Sequence, residues 1–177
     1  FLKRQKGHEY NIYHFEDRFF IKTNINGAEN YKIMQADEAH TDNIESWQTV
    51  LDHRPTVFIE GLEIFQDYLV IQERVEGLIN FRIINHHTKN QHLVEFNEPT
   101  YDAYISVNKK FETNIFRYGY TSLTTPSSTI DYEMDTKTST IKKPQQTSLS
   151  SLRVFHIFFP VVRSLFTDNL KFSSSVF

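Results

Sequence analysis

The sequence predicts an all-β fold: a partial β-propeller of about three four-stranded antiparallel blades, followed by an irregular C-terminal tail. Three observations carry that expectation. Residues 15 to 33 recur at residues 65 to 83 with an offset of fifty. Both copies place a glycine between two apolar, strand-like runs, where a turn needs positive φ or a close approach of backbones. No long stretch repeats its apolar residues at helical period.

The repeat is specific in its particulars. Phe15 and Phe65 open the two copies, each with an aspartate two residues on, Asp17 and Asp67. Apolar residues then match at Phe19/Leu69, Phe20/Val70 and Ile21/Ile71. Gly27 answers Gly77, Asn30 answers Asn80, and Tyr31-Lys32-Ile33 answers Phe81-Arg82-Ile83. A looser third copy starts at Phe111. A repeat of roughly 40–50 residues holding several short strands is the signature of a propeller blade.

The strands follow in order. Glu9–His14 and Arg18–Thr23 read as two strands, with Asn26-Gly27 as the turn before Tyr31–Ala36, and Trp47–Leu51 as a fourth. The next unit gives Thr56–Phe65, Tyr68–Arg74, Leu78–Asn85 and a short strand at Gln91–Glu95. The last gives Tyr101–Val107, Asn114–Tyr120 and Ile130–Met134. Short turns between consecutive strands suit an antiparallel meander. Leu69-Val70-Ile71 is apolar on both sides of the pleat, as a strand sandwiched between neighbouring blades requires. The register breaks after about Thr140. The expected organisation is therefore a propeller portion over 1–140 and an unmatched tail over 141–177, disordered or out of frame.

Composition narrows the function classes. The 177 residues carry a net charge of -3, which gives no basic face for nucleic acid. The total hides an asymmetry: residues 1–140 carry a net charge of -7 and residues 141–177 a net charge of +4. Cysteine is absent, so disulfides, thiolate metal sites and a cysteine nucleophile are excluded, in keeping with a reducing, cytoplasmic location. The first twenty residues have no signal-peptide core, and no uncharged apolar run approaches the roughly 20 residues that span a bilayer. Neither nucleic acid nor membrane is an expected partner. The chain begins at Phe1 within a strand approach and reads as a piece of something longer.

Candidate chemistry is sparse. Gly7, Gly27, Gly61, Gly77 and Gly119 are spaced too widely for a G-x-S-x-G elbow, a phosphate loop or a dinucleotide fingerprint. His86, His87 and His92 resemble metal ligands in composition only, since no second ligand pair accompanies them, and a solvated loop is the expected setting. Glu60 and Glu63 could form an acid/base pair, but strand alternation would point them to opposite faces. Glu73 and Glu76 read as a charged turn around Gly77. Ser122, Ser127 and Ser128 lack a motif that would activate a hydroxyl and read as turn residues. No position is assigned a catalytic, cofactor-binding or metal-binding role, and no cofactor is expected.

Three segments carry a resemblance. Arg4-Gln5-Lys6-Gly7-His8-Glu9-Tyr10 is followed by Asp17-Arg18-Phe19-Phe20, and Phe96-Asn97-Glu98-Pro99 is followed by Tyr101. The most specific is Arg117-Tyr118-Gly119-Tyr120-Thr121-Ser122-Leu123-Thr124-Thr125-Pro126, with Asp131-Tyr132-Glu133-Met134-Asp135 behind it. Together they resemble the prolyl oligopeptidase family of serine peptidases, in its oligopeptidase B branch, over residues 1 to about 140. The resemblance implies the last three or so blades of a propeller that caps an α/β-hydrolase domain and admits short peptides, which are cleaved after Arg or Lys. It places the catalytic triad, the oxyanion hole and the acidic specificity pocket beyond residue 140, so this chain alone is expected to be inactive. The partners it implies are peptide substrates and the α/β-hydrolase domain. Lys142–Phe177 departs from the family pattern, which suggests a fragment or a disrupted reading frame. The competing expectation is a free-standing, non-enzymatic module that binds proteins or peptides through blade surfaces or strand edges.

Overall fold

The computed structural model describes residues 5–144, which form twelve strands in three four-stranded antiparallel sheets. The first sheet holds β1 (Tyr10–Phe15), β2 (Arg18–Thr23), β3 (Lys32–Asp37) and β4 (Gln48–Leu51). The second holds β5 (Val57–Ile64), β6 (Tyr68–Val75), β7 (Leu78–Asn85) and β8 (Gln91–Leu93). The third holds β9 (Tyr101–Ile105), β10 (Ile115–Ser122), β11 (Ser128–Glu133) and β12 (Thr138–Pro144). Each sheet pairs its strands in sequence order, the meander of a propeller blade. The expected tail lies, from residue 145 on, outside the described residues.

The second strand of each blade explains why the sheets stack. Leu69, Val70 and Ile71 of β6 are each fully buried. Side chains alternate across a strand, so Leu69 and Ile71 join Phe15, Phe20, Ile33, Ile59 and Leu62 in a core between the first and second sheets. Val70 joins Phe81, Phe116, Tyr118, Tyr132 and Met134 in a core between the second and third. The Phe81 ring meets Phe116 edge-on at 5.0 Å and Tyr118 at 5.2 Å, a favoured aromatic geometry. On the other face of the first sheet, Ile21, Met34, Ala36 and Trp47 form a separate buried cluster.

The fifty-residue repeat survives in three dimensions with one adjustment. Phe15 and Phe65 are both buried, and β2 and β6 occupy equivalent second positions. In the third strands, however, Phe20 pairs with Gln35 whereas Val70 pairs with Ile83. The equivalence has slipped by two residues. The connection at Asn24–Tyr31 contains a short 3-10 turn with Asn26 and Gly27 at φ 57° and 76°, while Glu76-Gly77 is a tight hairpin with φ 50° and 86°. Both central residues at positive φ define a type I′ turn. Because the slip is even, it keeps every side chain on its predicted face.

Two features were not legible as strand patterns. β12 completes the third sheet and runs to Pro144, pairing with β11 from Thr138 onward. It is polar because it is an outer edge, and the exposed Lys142 discourages pairing with another chain there. Gly119 pairs with Tyr104 across β9–β10, and a Cβ at Gly119 would lie 2.2 Å from the Tyr104 ring. The absent side chain thus lets the tyrosine ring lie over the backbone.

Truncating Phe116 to Ala removes a fully buried ring from the core between the second and third sheets. The expected cost is about 3–5 kcal/mol of unfolding free energy, measured by denaturant melts, with the slope unchanged.

Candidate functional site

The meander gathers the connections at two ends. One end holds the β1–β2, β3–β4, β5–β6, β7–β8, β9–β10 and β11–β12 connections, and the opposite end holds those between β2–β3, β4–β5, β6–β7, β8–β9 and β10–β11. β12 runs toward the second group, and Pro144 pairs with Ser128 just past the β10–β11 turn. The polypeptide therefore leaves the third blade at that end, called here the exit end. The other is the far end.

At the far end a cleft of about 540 Å³ opens between the first two blades, with Phe15, Phe20, Leu69 and Ile84 among its apolar lining and His86 at its wall. The His86 ring stacks on Phe20 at 5.5 Å and lies 4.6 Å from Phe15. Its Nε2 donates to the Phe65 carbonyl at 3.2 Å, and its backbone N–H donates to the Asp67 carbonyl. Burial holds the imidazole pKa below its ordinary value, with Lys89 and His87 adding to the shift.

The three histidines are thus not one loop cluster. His87 is exposed and pairs with Asp67 at 2.9 Å. His92 sits on β8, 3.0 Å from the Tyr132 hydroxyl in the third blade. That tyrosine's pKa is pushed up to about 12, first by burial. The expectation of a common solvated loop is corrected for His86, which fills a gap between aromatic rings, and for His92, which is a partly buried residue of β8.

The glutamates also need correction. A bulge between Ile59 and Gly61 breaks the alternation of β5, so Ile59 and Leu62, three residues apart, enter the same core. The argument that Glu60 and Glu63 must point to opposite faces therefore fails. Glu60 accepts from Gln72 Nε2 and Arg74 Nε, both at 2.5 Å, and its backbone carbonyl accepts from Lys22 Nζ at 2.8 Å. Partial burial raises the Glu63 pKa.

Glu73 is not a turn residue at all. It is 1% exposed and accepts from Arg54 Nη2 at 2.5 Å and from Arg82 Nε and Nη2 at 2.6 and 3.3 Å. A buried carboxylate demands such partners, because an unpaired charge there would be costly. Arg54 comes from the β4–β5 connection and Arg82 from β7, a combination that sequence spacing could not reveal. Glu76 is the exposed turn residue expected.

Ser122 ends β10 and Ser128 begins β11, so these two serines flank the turn as strand residues, while Ser127 lies within it. Ser122 Oγ accepts from the backbone N–H groups of Thr124 and Thr125, and Ser128 Oγ donates to the Pro126 carbonyl. The same turn holds a group that the sequence reading passed over. Glu98 accepts from Thr124 Oγ1 and Thr125 Oγ1 at 2.7 Å each and from the Tyr120 hydroxyl at 3.4 Å. Hydroxyl hydrogen bonds, with Ser122 first, hold its pKa down at about 2. On the outer face of the third blade, Arg117 clasps Asp131 through Nε and Nη2 at 2.6 and 2.9 Å beside a cleft of about 730 Å³. Glu60, Glu73, Glu98 and Asp131 are each held by hydrogen bonds or ion pairs. Among the described residues no group of three His, Asp or Glu side chains could hold a metal, and no helix is long and apolar enough to cross a membrane.

Known proteins share this architecture. A family model described as the prolyl oligopeptidase N-terminal β-propeller domain matches residues 1–145. The chain is 38% identical over 135 residues to dipeptidyl aminopeptidase BI of Pseudoxanthomonas mexicana, covering 76% of this chain and 18% of that protein. It is 25% identical over 134 residues to protease 2 of Moraxella lacunata, covering 76% and 19%. The structure of oligopeptidase B from Leishmania major superposes with a TM-score of 0.73 at 25% identity, over 80% of this chain and 21% of that one. Oligopeptidase B from Trypanosoma brucei gives 0.72 at 22% identity, over 78% and 21%. The chain thus spans about a fifth of the length of the relatives it matches.

Two outcomes follow from these side chains. Because burial lowers the His86 pKa, the folded state takes up a proton less readily than the unfolded chain. Stability is therefore fully present above about pH 6.5, the ordinary imidazole value, and falls as pH drops toward 5. His86→Phe should flatten part of that slope in thermal melts, leaving the share due to His92, whose pKa burial also lowers. Separately, Glu73→Ala strands Arg54 and Arg82 and should cost about 3–5 kcal/mol. Denaturant melts would measure that loss.

Proposed function

Because this chain belongs to the prolyl oligopeptidase N-terminal β-propeller family, we propose that it is the non-catalytic gating part of a serine-type oligopeptidase that cleaves short peptides after Arg or Lys. The observation that carries this reading is the family match across residues 1–145, coincident with three successive blades. A propeller works as a gate by size. Blades arranged around a central channel leave a passage that an extended peptide can enter and a folded protein cannot. The face-to-face cores that stack the blades would keep that passage rigid.

Charge adds a bias. The net charge of -7 over residues 1–140 favours basic peptides approaching the enzyme, in line with cleavage after Arg or Lys. Screening over about 8–10 Å at physiological salt limits this to groups near the peptide's path. The α/β-hydrolase domain, the catalytic partner, would sit against the exit end, where β12 delivers the chain beside the β10–β11 turn. Bond cleavage would belong to that domain; among the described residues, Ser122 and Ser128 brace the β10–β11 turn, and Glu60 and Glu73 pair with arginines. The cytoplasm is the proposed compartment, in keeping with a cysteine-free chain.

The purified 177-residue chain should release no product from an Arg-ending fluorogenic peptide and take up no serine-directed covalent probe above a buffer blank. Turnover or labelling would show that this polypeptide carries its own nucleophile and would overturn the proposal.

A further inference from the structure

Among the described residues, the long connections at 24–31, 38–47 and 94–100 hold neither lysine nor arginine. The shorter connections place their basic residues out of reach. Arg54 is paired with Glu73 and followed by Pro55. Lys89 and Lys137 sit in tight turns at φ 60° and 58°, far from the extended backbone that an endopeptidase binds. The β9–β10 connection at 106–114 breaks the pattern. It carries a dibasic pair, Lys109-Lys110, and both residues are exposed.

That pair stands between two pins. On one side, Asn108 Nδ2 donates to the Ser106 and Arg117 carbonyls at 2.9 and 3.0 Å, and its Oδ1 accepts from the Arg117 backbone N–H at 2.7 Å. On the other, the Phe111 carbonyl accepts from the Gln66 and Thr113 backbone N–H groups at 3.1 and 3.0 Å. The Phe111 ring lies 5.9 Å from Phe15. The connection is therefore rooted in the third blade and fastened to the second and the first. Exposed loop tips are where chains are nicked, but the burial and hydrogen bonding of their backbone decide whether they are. Here the basic side chains are offered while the backbone on either side of them is withheld.

We propose that Lys109-Lys110 is a latent cleavage site for an endopeptidase that cuts after basic residues, closed by the Asn108 and Phe111 pins and opened when they release. Water then adds across the peptide bond that follows Lys109 or Lys110, leaving a carboxylate on the lysine and an amine on the next residue. The β9–β10 pairing, from Tyr101↔Ser122 to Ile105↔Tyr118, holds the nicked pieces together, while the far end loses its continuous strap across three blades. Any endopeptidase of that specificity reads the same bond, so the site stands or falls separately from the function proposed above.

Limited trypsin digestion of the full 177-residue chain, mapped by mass spectrometry, tests the site. Between Tyr10 and Thr138 the first cut should follow Lys109 or Lys110. Asn108→Ala removes three hydrogen bonds and Phe111→Ala the ring contact, and each should speed that cut about tenfold. Cuts after Lys89 and Lys137 should stay at the parent rate in both variants. Phe116→Ala, which weakens the core instead, should speed all the cuts together. A first cut elsewhere between Tyr10 and Thr138 would overturn the proposal. So would pin variants cut no faster than the parent, or cut faster only in step with every other site.

Discussion

The structure depends on β6 being buried on both faces. Leu69 and Ile71 look toward the first sheet and Val70 toward the third, so a three-residue apolar run commits the chain to having a sheet on either side. Once that is so, the neighbouring strands inherit their pattern. β2 presents Phe20 to the second sheet, and β10 presents Phe116, Tyr118 and Tyr120. Polar groups within these layers then need internal partners. Lys22 directs its ammonium onto the Ile59 and Glu60 carbonyls and stands 4.4 Å from the Tyr31 ring. Glu73 draws in two arginines. Each tether follows from the stacking rather than causing it.

Most of the blade architecture was legible because strand alternation and the fifty-residue repeat report directly on burial. The even slip in the third strands shows how tolerant that signal is: the Asn24–Tyr31 connection is longer than Glu76-Gly77, yet faces are conserved. β12 was missed because an outer edge strand has no buried face to impose a pattern. The bulge at Glu60 was missed for a related reason. One extra residue leaves composition untouched while reversing the alternation on which the Glu60–Glu63 argument relied. The candidate site was less legible than the fold. Arg54, Glu73 and Arg82 meet only after two strands and a connection are in place, and Glu98 acquires its hydroxyl donors from a turn more than twenty residues away.

The two ends of the stacked blades divide the chemistry. The far end is aromatic, with His86 wedged between Phe15 and Phe20 and with Tyr68 donating to Asp135 across the second and third blades. These contacts hold neighbouring blades at fixed spacing. The exit end presents oriented charge and an exposed apolar tip, at Glu98 and Leu123. The gate proposed above would need a rigid channel, which blades held at fixed spacing would supply. Membership of the prolyl oligopeptidase propeller family accords with that stacking.

Native-state hydrogen exchange across the whole chain probes the stacking most directly, because protection reports which strands open only on global unfolding. Amides of Leu69–Ile71 should be among the slowest to exchange, those of Phe116–Tyr120 close behind, and those of the short outer strand Gln91–Leu93 among the fastest. Exchange at Leu69–Ile71 as rapid as at Gln91–Leu93 would mean that no sheet covers either side of that strand, and the layered account would fail.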